Sequence, residues 1–352
     1  MTSNRRRGRR ARQQAPPTAS AIRPGLEGGR YRPLTQSDEQ QIHQTILDVL
    51  ENIGMGDPIP IVKERALERG CFMNEHDRLC FPRALVEDVI ANTPRDIRFL
   101  GKDPKHDLEI GGNRVHTYGG GEAVNMLDIG ASRYRPSTLP DLYDAARLVD
   151  RMDNIHAFSR LVVPTEIVDQ LACDISVAYT NVAGTSKHSA LTFNDASHVQ
   201  PTLEMLYMIA GGKKKFHERP FAHGGGCCVI SPLRYGRDNS EVCIESIKFG
   251  APVWVVMAPQ AGATAPAALA GSVVQSVAEA LASLLMIDMV EPGFPVIVGA
   301  WPFVSDLRTG AFTGGSGEEA VVTAGAAQML NFYGVPSSVG AGMTDSKLPD
   351  CQ

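Results

Sequence analysis

The chain has 352 residues, 43% hydrophobic and 21% charged, which excludes a disordered polymer and a small disulfide-stapled scaffold and leaves one large domain or two ordinary ones. Net charge is -5, yet six arginines (Arg5, Arg6, Arg7, Arg9, Arg10 and Arg12) crowd the first twelve residues; taking them from the 34 basic residues leaves 28 against 39 acidic ones. A body of net -11 repels phosphate backbones, so nucleic acid is disfavoured as a partner and only the arginine tail could attract it.

Residues 1–33 are rich in Arg, Gly, Pro and Gln and hold few large apolar side chains, so they read as a disordered tail. Thr35-Gln-Ser-Asp-Glu then opens a helix whose apolar residues Ile42, Ile46, Val49, Leu50 and Ile53 recur at helical spacing until Gly54 stops it. A second helix is expected over 60–68, and a third from Pro82 with Leu85, Val86, Val89 and Ile90 on one face. These make residues 34–110 an N-terminal helical region. A strand-rich, glycine-rich segment follows.

From about residue 137 the pattern alternates. Ser137 or Thr138 caps a helix, the run Leu161-Val-Val-Pro reads as a strand, and a helix over 167–182 precedes the strand Ala190-Leu-Thr-Phe. Helices over 198–210, 238–249, 266–289 and 317–333 then alternate with strands over 221–230, 253–258, 296–300 and 335–340. Repeated strand-then-helix units with short joins demand a parallel sheet with helices outside it. Two architectures satisfy this: a closed (β/α)8 barrel or an open doubly wound sheet. No G-x-G-x-x-G opens a helix, which weakens the second, and several strands end in glycine or small residues before a loop, where barrels place their sites. About six strands are counted from residue 161, with one more near 115, where a closed barrel has eight. The expected fold is therefore an α/β TIM barrel over 111–352, incomplete at its C-terminal end, with an N-terminal helical extension.

Between Lys248 and Glu279 thirty residues carry no charge, but Pro252, Pro259 and Pro266 break the run, so it reads as buried strand, loop and helix and not as a membrane span. Seven cysteines at irregular spacing, with no C-x-x-C and no secretory leader, suit a reducing cytoplasm.

Candidate chemistry lies at strand ends. Tyr118 beside Gly119-Gly-Gly-Glu122, and Trp301 with Phe303, are aromatic residues of the kind that cage a methylated ammonium, although ordinary packing explains them too. Glu122 is a candidate general base, or a cap. His223, before Gly224-Gly-Gly-Cys-Cys, lacks the spacing of a zinc site and reads as a core histidine or a polar group of the pocket. Asp345, Lys347 and Asp350 follow the last strand, where a barrel presents catalytic groups or a solvated loop. Gly184-Thr-Ser-Lys187-His188 is not a nucleotide-binding loop, because no G-x-x-x-x-G-K-[ST] is present.

Taken together, the Val49-Leu-Glu-Asn-Ile-Gly helix end, the stretch 133–153, Gly184-Thr-Ser-Lys-His, Ser231-Pro-Leu and the closing Gly-Met-Thr-Asp-Ser-Lys-x-Pro-Asp-x-Gln resemble the trimethylamine methyltransferase family over residues 35–352. The resemblance implies a cytoplasmic (β/α)8 barrel that moves a methyl group from a methylated amine to the cobalt of a cognate corrinoid protein. It implies no metal or cofactor bound directly by this chain, the corrinoid being carried by the partner. Trimethylamine enzymes of the family carry pyrrolysine, whose electrophilic imine captures the amine, encoded by an amber codon just beyond the Pro-Asp-x-Gln block. The expectation is thus that residue 353 is pyrrolysine and that the sequence is the N-terminal part of a longer enzyme. The alternative is a glycine betaine or other quaternary-amine enzyme, with an ordinary residue there; a noncatalytic fragment with a polyanion-binding tail is more distant. Tyr118, Trp301 and Phe303 are expected in the amine pocket, and Asp345, Glu122 and His223 in catalytic or steering roles. A homo-oligomer is the default for a large barrel enzyme.

Overall fold

The computed structural model describes residues 25–344 and 346. Helix α1 (Gln36–Asp48) starts at a capping box in which Asp38 N–H donates to Thr35 Oγ1 and Thr35 N–H donates to Asp38 Oδ2 at 2.8 Å. It runs into one wide turn, Val49–Ile53, and stops at Gly54, whose φ of 69° suits glycine and whose missing Cβ would lie 2.4 Å from the Leu79 carbonyl oxygen. Helices α2 (Pro60–Glu68) and α3 (Arg83–Asn92) follow as expected. A hairpin of β1 (Ile97–Phe99) and β2 (Leu108–Ile110) comes next.

The alternating part begins with α4 (Leu139–Asp150), capped by Thr138 and Asp141. Parallel strands β3 (Ala157–Phe158), β4 (His188–Leu191), β5 (Ala222–Gly226), β6 (Val253–Met257), β7 (Val296–Ala300) and β8 (Ser337–Ser338) lie in chain order in one six-stranded sheet. Helices α5 (Gln170–Gly184), α6 (Val199–Ala210), α7 (Lys213–Glu218), α8 (Arg237–Glu245), α9 (Leu269–Val290) and α10 (Gly317–Tyr333) fill the crossovers.

Three strand expectations shift. The strand placed at 161–164 lies at 157–158, and Val162 makes only an isolated parallel bridge with Ala123. The strand placed over 221–230 ends at Gly226, because Val229–Ile230 turns back to pair with Arg234–Tyr235. The last strand is only two residues long. The segment near 115 does join the sheet further on: Tyr118 bridges Ala157 and Ala123 bridges Val162, both in parallel, so this segment flanks β3 as a seventh position. Among the described residues the sheet has seven parallel positions, one short of the eight of a closed barrel. Its two edges approach each other, since Tyr118 at one hydrogen-bonds Ser338 at the other.

Alternation along the strands assigns the two faces. Val253, Val255, Met257, Val296, Val298 and Ala300 point outward into a core shared with α9 and α10. The same core takes in Ile42, Ile46, Leu50, Val62, Val86 and Val89 from α1 to α3, so the N-terminal helices pack on the sheet's helical layer. Helix α9 is long and apolar enough to cross a membrane, but 89% of its most apolar window is buried inside the protein. That burial explains the thirty uncharged residues.

Candidate functional site

The opposite face of the sheet looks into the lumen. Ala157, Ala190, His223, Trp254, Ile297 and Ser338 line a cavity of about 1060 Å³, together with Tyr118, Trp301 and Phe303. The β1–β2 hairpin closes its floor with Phe99, Leu108 and Ile110, which pack with Ala157 and Ile297. Its side wall is the loop 111–121, the segment 335–343 and one face of α10, so it occupies the gap between the two sheet edges.

Three aromatic residues meet at Ser338. Trp254 Nε1–H and Trp301 Nε1–H donate to Ser338 Oγ at 3.0 and 3.3 Å. With both lone pairs of Oγ taken, the serine's own proton faces the Tyr118 oxygen, its third partner. Tyr118 stands edge-on to Trp254 at 6.0 Å, and Trp254 lies 5.8 Å from Trp301. Burial pushes the Tyr118 hydroxyl well above the ordinary phenol range, so the cluster is neutral. Its ring faces offer electron-rich surface to a cation inside the lumen. Phe303 lines the same cavity but packs against Phe312 at 5.1 Å.

His223 is 4% exposed and belongs to a stack at the floor with Phe99 and His188. It is not paired with the neighbouring thiols: Cys227 is exposed, and buried Cys228 hydrogen-bonds Cys243. Among the described residues no three His, Cys, Asp or Glu side chains are placed to share a metal ion.

Glu122 lies outside the cavity lining. It accepts from Thr192 Oγ1 at 2.6 Å and pairs with Arg160, whose other amine is 3.9 Å from Asp174. Asp174, fully buried, also accepts from the Asn194 backbone and amide at 2.8 and 2.6 Å and faces His198 Nδ1 at 2.7 Å. This charged cluster sits just past the C-terminal ends of β3 and β4. Glycine permits the approach: a Cβ on Gly121 would fall 1.9 Å from the Arg160 carbonyl oxygen. Asp345 lies outside the described residues, as do Lys347 and Asp350.

The Gly184-Thr-Ser-Lys-His turn is structural. Lys187 Nζ donates to the carbonyls of Val149, Met152 and Ile155 at 2.7, 2.6 and 2.5 Å, while Thr185 and Ser186 donate to Asp150. It satisfies the end of α4 and the loop after it.

Sequence reasoning did not pick out Trp254, Ser338, Phe99 or the Arg160–Asp174 pair. Trp254 carried a usable signal, because alternation in Val253-Trp-Val-Val-Met puts it opposite the outward valines. Phe99 carried none.

The chain matches the trimethylamine methyltransferase (MTTB) family over residues 2–352. It is 33% identical over 327 residues to trimethylamine methyltransferase MttB of Desulfitobacterium hafniense (strain DSM 10664 / DCB-2), covering 90% of this chain and 64% of that one. It is 29% identical to the glycine betaine methyltransferase of Desulfitobacterium hafniense (strain Y51), covering 92% and 67%. The chain thus spans about two thirds of the length of these curated relatives. Among solved structures, the hydroxylamine complex of MtmB superposes with a TM-score of 0.50 at 11% identity, covering 86% of this chain and 65% of that one, a likeness of fold alone. On the extent of the family match, the chain belongs to the trimethylamine methyltransferase (MTTB) family.

Proposed function

We propose that this chain is the greater part of a methyltransferase that takes a methyl group from trimethylamine and passes it to the cobalt of a separate corrinoid protein. The observation that carries the reading is the neutral cluster of Tyr118, Trp254 and Trp301 around Ser338, facing the lumen. The family relationship supplies the reaction class.

The chain's own residues bind and orient. Ring faces attract the cationic amine without offering it a counter-charge, and the Ser338 hydrogen bonds hold the indoles in place. Trp254 and Ile297 on the lumen face of β6 and β7, with Ala157 and the hairpin residues Phe99, Leu108 and Ile110, surround the lumen with apolar groups, which keeps water from competing for the amine. The corrinoid, on its partner, supplies a nucleophilic cobalt. Glu122, at the strand ends and held by buried Arg160, is the group of this cluster placed to meet that partner.

For the whole protein the reading adds an eighth parallel strand between β8 and the segment at Tyr118, supported by the seven positions present and by the greater length of the relatives. Whether the whole protein carries pyrrolysine, read from peptide masses of the native enzyme, divides the substrate classes: its presence supports a trimethylamine enzyme, and its absence moves the reading to quaternary amines such as glycine betaine. The free cysteines among the described residues suit a reducing compartment and support a cytoplasmic enzyme. Methyl transfer from trimethylamine to a reduced corrinoid protein is the direct assay.

A further inference from the structure

The stacked floor of the lumen fixes the proton positions on two histidines. Phe99 lies flat on His188, with centroids 4.2 Å apart at 4°, and 4.5 Å from the His223 ring. His188 Nδ1 is 2.8 Å from the Leu100 carbonyl oxygen, and His188 Nε2 is 2.9 Å from His223 Nδ1. A carbonyl only accepts, so His188 Nδ1 carries a proton. Burial pushes His188 down to about 4, and burial with the neighbouring His188 pushes His223 well below its ordinary value. A neutral imidazole has one N–H, so His188 Nε2 is bare and accepts from His223 Nδ1–H. The chain of reasoning ends at His223 Nε2, which carries a free lone pair. No described residue donates to it, and the ring lines the cavity.

The register sets this acceptor beside the aromatic cluster. His223 lies two residues before Gly225, which pairs with Trp254, so it occupies the layer of the lumen next to Trp254 on the hairpin side. An aromatic cluster attracts any methylated ammonium through its ring faces and does not distinguish one from another by hydrogen bonding. A bare imidazole nitrogen does distinguish them, because a protonated tertiary amine has an N–H to donate and a quaternary ammonium has none.

We propose that His223 Nε2 accepts the N–H of a protonated tertiary amine, held there by the Leu100–His188–His223 relay, and so selects tertiary over quaternary ammonium ions. This rests on the reading that the cavity takes methylated amines. His223 is then a specificity-determining contact, and His188 a positioning residue that fixes its tautomer.

The test is titration calorimetry of the full-length protein with trimethylammonium chloride and with tetramethylammonium chloride. Wild type should prefer the first by about tenfold, the effect of one charge-assisted hydrogen bond. His223→Phe keeps an aromatic ring against Phe99 and should lose that preference, the two cations then binding within about twofold of each other. Nitrogen NMR of histidine-labelled wild type needs no variant: His223 Nε2 should give an unprotonated resonance that moves with trimethylammonium and stays with tetramethylammonium. A preference that survives His223→Phe, or a protonated His223 Nε2 in wild type, overturns the proposal while leaving the amine reading intact. Failure of wild type to bind either cation overturns both.

Discussion

The indole N–H of Trp254 donates to Ser338 Oγ at 3.0 Å, reaching over β7 to join a strand inside the sheet to the short strand at its edge. The same oxygen accepts from Trp301, so one serine holds two large rings that the proposed amine contacts.

Ser338→Ala should therefore unpair both indoles at once. The expected loss is about 1–3 kcal/mol of stability, the cost of leaving buried donors unsatisfied. Chemical denaturation measures it, and amine affinity should fall in parallel because the rings are no longer held. A variant as stable as wild type with unchanged affinity would remove Ser338 from this role.

Trp254→Ala and Trp301→Ala should each weaken use of trimethylamine markedly. Loss of one cation–π contact in a desolvated site is of order 1–2 kcal/mol, or roughly tenfold in affinity. Trp254→Phe and Trp301→Phe keep a ring face and should retain most of it. Rates at subsaturating amine read the difference; no change on truncating Trp301 would take it out of the pocket.

Lys187→Met tests the structural reading of the Gly-Thr-Ser-Lys-His turn. The carbonyls of Val149, Met152 and Ile155 would lose their shared donor, and the expected destabilisation is about 2–3 kcal/mol. If Lys187 instead served a bound anion, the variant would keep its stability and lose activity at saturating amine.

Asp141 provides a pH-dependent contribution. Its carboxylate accepts from Arg135 through two hydrogen bonds of 2.8 Å and from Thr138 at the start of α4, and these donors, Arg135 foremost, hold its pKa below the usual carboxylate range. With the folded pKa below the unfolded value of about 3.9, the stabilisation is fully present above that value and disappears as pH falls through the folded one. Asp141→Asn should cost about 1 kcal/mol at pH 7, as loss of a cap does. The gap between variant and wild type should close as pH drops below about 4, in urea titrations run at each pH. A gap independent of pH would show that the charge contributes nothing.

Much of the fold was legible because the local signals agreed with it. Thr35 and Asp38 make the capping box that the opening of α1 suggested, and Val253 to Met257 and Val296 to Ala300 are strands where continuous apolar runs placed them. The misplaced strand at 161–164 shows the limit. Leu161 and Val162 are apolar because they pack with Leu142 and Val177 beyond the strand end, not because they extend it. The pocket was half legible: Tyr118, Trp301, Phe303 and His223 line the cavity, whereas Glu122 turns to Arg160 and Thr192. What escaped depends on contacts distant in sequence. Ser338 matters because of Trp254, 84 residues away, and Phe99 reaches the lumen through a hairpin that precedes the sheet.

The most direct test of the central claim is methyl transfer by the full-length protein, measured by the absorbance of the methylated corrinoid protein, with trimethylamine and glycine betaine offered separately. Methylation from trimethylamine, lowered by Trp254→Ala, is the predicted result. Methylation from glycine betaine alone, or from neither amine with a corrinoid protein that another enzyme methylates normally, would contradict it.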